Sequence, residues 1–154
     1  GQTLIDNRLR PLTDGVIQKS QAVLIANRKA LQARPEVLEM ARRLLEYIEA
    51  HMRAENNLLV IANMRGDNPE GIAKKIFTQT NVGGLQGPTI SPIMTRESDQ
   101  NWYSVTVVVR RDHLPQAISE LRLIGGSGII VSPITYIFEE EPPRYKAMLA
   151  ALKG

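Results

Sequence analysis

An α+β fold is what this 154-residue sequence predicts. Three observations carry it. Between residues 58 and 138, strand-like and helix-like segments follow one another as strand, helix, strand, strand, helix, strand. A long amphipathic stretch, residues 35 to 54, stands in front of them. The composition, 43% hydrophobic against 23% charged, is that of a chain with a core to bury.

Residues 1 to 33 read differently from the rest. The opening to Gly15 is polar and turn-rich. Ala22-Val23-Leu24-Ile25-Ala26 is an apolar run suited to a buried strand, with no hairpin partner nearby. The helix expected over 35 to 54 starts at Pro35, a residue suited to the first helical position. Its apolar stripe is Val37, Ala41, Leu44, Ile48 and Met52. Glu39 with Arg43, Arg42 with Glu46 and Glu49 with Arg53 are spaced to pair on its surface, each for about 0.2–0.5 kcal/mol. Asn56-Asn57 ends it.

Leu58 to Ala62 reads as a buried strand. Asp67, three residues before Glu70, can form a capping box for a helix whose face is Ile72, Ala73, Ile76 and Phe77. Gly83, Gly84, Gly87 and Pro88 make residues 81 to 88 a loop. Thr89 to Met94 is a strand that Pro92 assigns to an edge or a bulge. Ser98 to Asn101 is a turn, and Trp102 to Val109 is a β-branched, aromatic strand. Asp112 is placed to cap a helix with the stripe Leu114, Ala117, Ile118, Leu121 and Ile124, stopped by Gly125-Gly126. Ile129 to Phe138 is the last strand, interrupted by Pro133. A short helix from about Arg144 to Leu152 closes the chain. This order is that of a split βαβ, or ferredoxin-like, domain: a four-stranded antiparallel sheet with two helices on one face. The other face then needs cover from the long helix, a partner or another subunit.

The composition narrows the chemistry. The absence of cysteine excludes disulfides, thiolate zinc sites and cysteine nucleophiles. With only His51 and His113, a first-row metal would rely on carboxylates. No serine sits in a nucleophile elbow, and neither histidine has a spaced acidic partner. A net charge of +3 is spread over short pairs such as Arg42-Arg43 and Lys74-Lys75, with acids between them. A nucleic-acid footprint needs a clustered patch, and Leu58 to Ala62 carries no aromatic for base stacking, so no nucleic-acid partner is expected. No apolar stretch reaches membrane-spanning length and no signal peptide opens the chain, so no membrane partner is expected.

The glycine-rich loops are more informative. Gly83-Gly84-Leu85-Gln86-Gly87-Pro88-Thr89 and Gly125-Gly126-Ser127-Gly128 allow close backbone approach. Their N–H groups, with the Thr89 and Ser127 hydroxyls, are suited to a carboxylate, and Asp67 to an amine. The same residues also make sense as tight turns and one helix cap. Neither loop has the spacing of a P-loop or a dinucleotide fingerprint.

Leu85-Gln86-Gly87-Pro88-Thr89-Ile90-Ser91-Pro92 followed by Gly125-Gly126-Ser127-Gly128-Ile129-Ile130-Val131-Ser132-Pro133-Ile134 resembles the C-terminal regulatory domain of the long-form ATP phosphoribosyltransferases. The Gly-Gly-Ser-Gly loop and the ending Thr135-Tyr136-Ile137-Phe138 are similar to the plant-like branch. Gly1-Gln2-Thr3-Leu4 resembles the end of that family's phosphate-binding loop, and Ser20 to Asn27 resembles the last strand of its catalytic part. The resemblance covers nearly the whole chain. It implies three regions: residues 1–33 as a remnant of the catalytic domain, 34–56 as a connecting helix, and 57–154 as a ferredoxin-like histidine-binding regulatory domain.

The family enzyme begins histidine biosynthesis. It makes phosphoribosyl-ATP and diphosphate from ATP and phosphoribosyl pyrophosphate, with Mg2+. Gly1, Gln2, Thr3 and Leu4 would be only the tail of the sugar-phosphate grip, so the resemblance implies no complete catalytic site here, no turnover by this stretch alone, and no metal or cofactor of its own. It implies feedback inhibition by L-histidine at Asp67, which receives the ligand amine, Leu85, which lines the pocket, and Thr89, a polar contact. Gly126, Ser127 and Gly128 would form the small-residue turn near the carboxylate. The sequence departs from common bacterial members in a slightly longer loop before Leu85 and in Ser127, where Ala is frequent. The resemblance also implies a homo-oligomer, a hexamer in the family. It implies a cytoplasmic location, or a plastid one if the source is a plant or alga. Two other readings stand beside it: a free-standing small-molecule sensor, and an oligomerisation module whose glycine loops only turn.

Overall fold

The computed structural model describes residues 6–10, 22–96 and 101–153. The phosphate-loop resemblance at Gly1 to Leu4, and most of the turn expected at Ser98 to Asn101, lie outside these. Helices α1 (Arg28–Ala33) and α2 (Pro35–Glu55) precede the sheet. Then follow β1 (Asn57–Arg65), α3 (Pro69–Gln79), β2 (Thr89–Ile93), β3 (Trp102–Arg110), a 3-10 turn (Arg111–His113), α4 (Leu114–Leu123), β4 (Ser127–Pro133) and α5 (Pro143–Lys153). The strands form one antiparallel sheet in the order β2-β3-β1-β4. Pro92 lies on edge strand β2, where its missing N–H costs no ladder bond.

The core follows from strand alternation. Leu58, Val60, Ala62 and Met64 of β1 point to one face and are buried, as are Tyr103, Val105, Val107 and Val109 of β3. Ile72 and Ile76 of α3, Ala117 and Leu121 of α4, and Ile124 just after it pack on that same face. Val60, Ile76, Val105 and Leu121 are fully inaccessible. Each such aliphatic side chain contributes about 1.5–3 kcal/mol on burial.

Five local expectations are corrected. Residues 22 to 26 form no strand; Val23, Leu24 and Ile25 lie exposed, because neither sheet edge comes to pair with them. Helix α2 is where the spacing puts it, but its buried face is Glu49, Ala50 and Ala54, while Leu44, Ile48 and Met52 stay half exposed. The small alanines allow backbone to approach where the larger stripe would not. Helix α3 is capped by Asn68, whose Oδ1 accepts from Gly71 N–H at 2.7 Å, and not by Asp67. Asp112 caps nothing; it sits in the 3-10 turn and pairs with Arg110, which holds its carboxyl below the usual range.

The fifth concerns the chain end. β4 stops at Pro133, which has no N–H to extend the ladder. Residues 134 to 142 then cross α2 as a strap. Ile137 N–H donates to Ala50 O at 3.0 Å, and Arg53 Nη1 donates to Ile137 O at 3.1 Å. Tyr136 and Phe138, expected in the sheet, instead meet the Tyr47 ring edge-on, at centroid distances of 5.6 and 5.3 Å.

Candidate functional site

Among the described residues, two of the clefts beside the sheet take in Asp67 and Thr89. The first lies at the C-terminal end of β1 and encloses about 460 Å3. Chain direction creates it: β1 ends at Arg65, Gly66 turns the backbone, and Pro69 starts α3. Gly66 is required there, because a Cβ would meet Ile72 Cγ1 at 2.7 Å. Gly66 N–H donates to Asn101 O at 3.3 Å, and the Tyr103 hydroxyl donates to Asp67 O at 3.4 Å, so β3 fixes the Asp67 backbone. The exposed Asp67 carboxylate thus shares a cleft with Arg65, Lys75 and the amides of Asn68 and Asn101. Arg65 is laid over the Trp102 ring, 4.5 Å from its centroid. One carboxylate beside two cations fits a ligand carrying both an ammonium and a carboxylate group.

The second cleft, about 670 Å3, runs along the outer sheet face. Leu85 and Thr89 line it, with Thr106 of β3 and Phe138 of the strap. Asn81 anchors the start of its loop: Glu120 accepts from Asn81 N–H at 2.7 Å and from Nδ2 at 3.0 Å. Those bonds, with one from Gln116, hold the Glu120 carboxyl below its usual range.

Gly126, Ser127 and Gly128 occupy a third place, the start of β4. Gly126 packs against α4 so closely that a Cβ would lie 2.6 Å from Leu121 O. Ser127 Oγ donates to Asn63 O at 3.3 Å, and Gly128 has a φ of +56°, beside the Asn63 side chain. Asp67 and Ser127 therefore share one end of the sheet. Thr89, opposite Thr106 and hence level with Ile61, lies four residues back from Arg65 and two strands across. At about 3.3 Å per residue and 4.8 Å per strand, that is roughly 16 Å away. The six residues singled out in the sequence thus do not meet in one pocket of one chain.

Sequence reasoning passed over Arg65, Lys75 and Asn101. Arg65 ends an alternating strand on its outer face, and only the register reveals Trp102 beside it. His51 lies near the C-terminal end of α2 and does have an acidic partner at helical spacing, correcting the sequence reading: Glu55 is 3.6 Å away on the exposed surface, and Nδ1 is 3.3 Å from Thr135 O, while His113 is exposed before α4. Among the described residues no group of three or more His, Asp or Glu is placed to hold a metal, and no helix is long and apolar enough to cross a membrane.

Residues 54–136 match the family model described as "HisG, C-terminal domain". The chain is 42% identical, over 99% of its length, to "ATP phosphoribosyltransferase 2, chloroplastic" of Arabidopsis thaliana, and 39% identical to "ATP phosphoribosyltransferase 1, chloroplastic" of the same plant. It is 33% identical, over 87% of its length, to "ATP phosphoribosyltransferase" of Bacteroides thetaiotaomicron. It spans 38% of each plant relative and 42% of the bacterial one. The sheet that builds the clefts falls within the matched residues, and on that match the chain belongs to the family of the HisG C-terminal domain, a C-terminal portion of ATP phosphoribosyltransferase.

Proposed function

We propose that this chain is the effector-sensing region of an ATP phosphoribosyltransferase and that its effector is L-histidine. The observation that carries the reading is the mixed-charge cleft at the end of β1, with Asp67 between Arg65 and Lys75. An α-amino acid presents an ammonium to Asp67 and a carboxylate to the cations or to the Gly126–Gly128 amides. The βαββαβ order and the strand order β2-β3-β1-β4 support a ferredoxin-like reading of residues 57–154. Residues 34–56 then serve as the connecting helix and 1–33 as the end of a catalytic domain.

The longer protein would join ATP to phosphoribosyl pyrophosphate with Mg2+, releasing diphosphate. On this reading that ion's site belongs to the rest of the longer protein. This stretch would turn over no substrate by itself. Inhibition would work by linkage: histidine shifts the equilibrium only by its preference for the inhibited arrangement. The separation of Asp67 from Thr89 favours a site shared by two copies, one giving Asp67 and the other Leu85 and Thr89. That is the reading's link to a homo-oligomer, hexameric as the resemblance implies. The relatives' names support a plastid location.

Calorimetric titration with L-histidine tests this. We expect saturable binding, weakened at least tenfold in Asp67→Ala and in Thr89→Ala. A folded chain that takes up no histidine at any concentration overturns the reading, and unimpaired binding by both variants moves the site elsewhere.

A further inference from the structure

Helix α5 is held at both ends by side chains from α1 and α2. At its start, the Arg144 N–H is one of the first-turn amides that lack a partner within a helix. It donates to Glu49 Oε1 of α2 at 2.8 Å, and the Arg144 guanidinium lies 3.4 Å from the same oxygen. At its end, the last carbonyls lack helical donors in the same way. Arg28 of α1 donates to Ala151 O, and Gln32 of α1 donates to Leu152 O at 2.9 Å.

Helices α1 and α2 meet at a single residue. Arg34 is the C-cap of one and the N-cap of the other, with extended backbone at φ −127° and ψ 104°. No side chain caps α2 there, so few local bonds set the angle between the helices. Helix α5 closes the triangle. Its anchor is unusual: Glu49 is only 6% exposed, and its Oε2 has no hydrogen-bond partner among the described residues. A buried carboxylate kept with one oxygen unsatisfied is a costly way to pack a helix, and it makes sense where the cap itself is the requirement. The strap leads into α5 and is tied to the same stretch of α2, through Ala50 and Arg53. β4, which starts at the Gly126–Gly128 turn, feeds the strap.

We propose that α5 is a relay: it sets the angle at the Arg34 joint and carries a displacement of the strap after β4 to α1 and the chain before it. It rests on the effector reading only for what moves the strap. Packed elements of this kind shift as units and do not deform continuously, so a small movement at one end of α5 reaches the other.

Amide hydrogen exchange on the whole chain tests the relay. The reporters are Leu31 N–H, bonded to Asn27 O, and Arg34 N–H, bonded to Ala30 O. Both bonds are made to carbonyls at the start of or within α1, which meets the end of α5, a helix about 16 Å long, away from Glu49. Glu49→Leu removes the cap and fills the buried volume. Exchange at Leu31 and Arg34 should then rise at least fivefold while β1 and β3 amides keep their rates. Unchanged rates at both reporters overturn the relay. If Glu49→Leu also loosens β1 and β3, Arg28→Ala with Gln32→Ala decides, since both residues are exposed. The Ile137 amide should then exchange faster, and an unchanged Ile137 overturns the relay. Saturating L-histidine should alter Leu31 and Arg34 in the native chain but not in the Arg28→Ala/Gln32→Ala chain. An effect confined to residues 126–128 overturns the relay, whereas no effect of histidine anywhere overturns the effector reading and leaves the relay to the two variants.

Discussion

The Glu120 carboxylate accepts two hydrogen bonds from Asn81, one from its backbone N–H at 2.7 Å and one from Nδ2 at 3.0 Å. This pair ties the loop that carries Leu85 to helix α4. Because the bonds are to the charged form, Glu120 keeps its proton off to lower pH than the ordinary value of 4.5. A depressed pKa contributes stability that is present above the unfolded value and lost as pH falls through the folded one. The Asn81 amide shift, followed by NMR, should therefore titrate with a midpoint below 4.5. In Glu120→Ala the amides of residues 82 to 87 should exchange faster while β1 stays protected. An Asn81 midpoint at or above 4.5 would refute the pairing.

Asp67 and Asn68 are neighbours with different work. Asn68 caps α3, and Asn68→Ala should cost about 1 kcal/mol of stability. Asp67 is exposed and caps nothing, so Asp67→Ala should stay within about 0.5 kcal/mol of the native chain. Urea unfolding of both variants checks this, and equal losses would return Asp67 to a structural role.

Two loop glycines should respond oppositely to alanine. At Gly126 the added Cβ meets the Leu121 carbonyl at 2.6 Å, a backbone atom that cannot swing away. Gly126→Ala should destabilise by about 1–3 kcal/mol. At Gly83 nothing lies within 4 Å and the backbone is not left-handed. Gly83→Ala should be neutral or stabilising by about 0.4–1 kcal/mol, through the unfolded chain. Thermal unfolding of the two side by side gives the order, and a reversed order contradicts the described turn.

Leu121 and Leu123 sit two residues apart on α4. Leu121 is fully buried between helix and sheet, and Leu123 is 84% exposed. Leu121→Ala should cost about 2–5 kcal/mol and Leu123→Ala less than about 0.5 kcal/mol. Chemical denaturation that finds similar losses would mean that α4 presents another face to the sheet.

Periodicity made most of the elements legible. The unbroken apolar run Leu58 to Ala62, the β-branched and aromatic residues of Trp102 to Val109, and the three- and four-residue spacing at Ile72 and Ile76 or Ala117 and Leu121 are features that the local sequence alone carries. The same reasoning failed at α2. A helix with apolar residues around much of its surface does not announce which side is buried, and the strap chose the Ala50 side over Leu44 and Ile48. It failed also at Ala22 to Ala26, where an apolar run has strand propensity but no edge to pair with.

The candidate site divides along the same line. Residue chemistry singled out Asp67, Thr89 and the glycine-rich turn around Ser127, because a lone acid after a strand and glycine-rich loops are visible one residue at a time, and Leu85 was added only by the family resemblance. Only the tertiary structure decided that Arg65 and Lys75 join Asp67, and that Thr89 lies on the far strand in another cleft. It alone placed Glu49 at the start of a helix 95 residues away in sequence. The physical reason is range: helix and strand periods are local properties of the chain, whereas strand register and a cap given by a distant side chain exist only once segments far apart in sequence have packed.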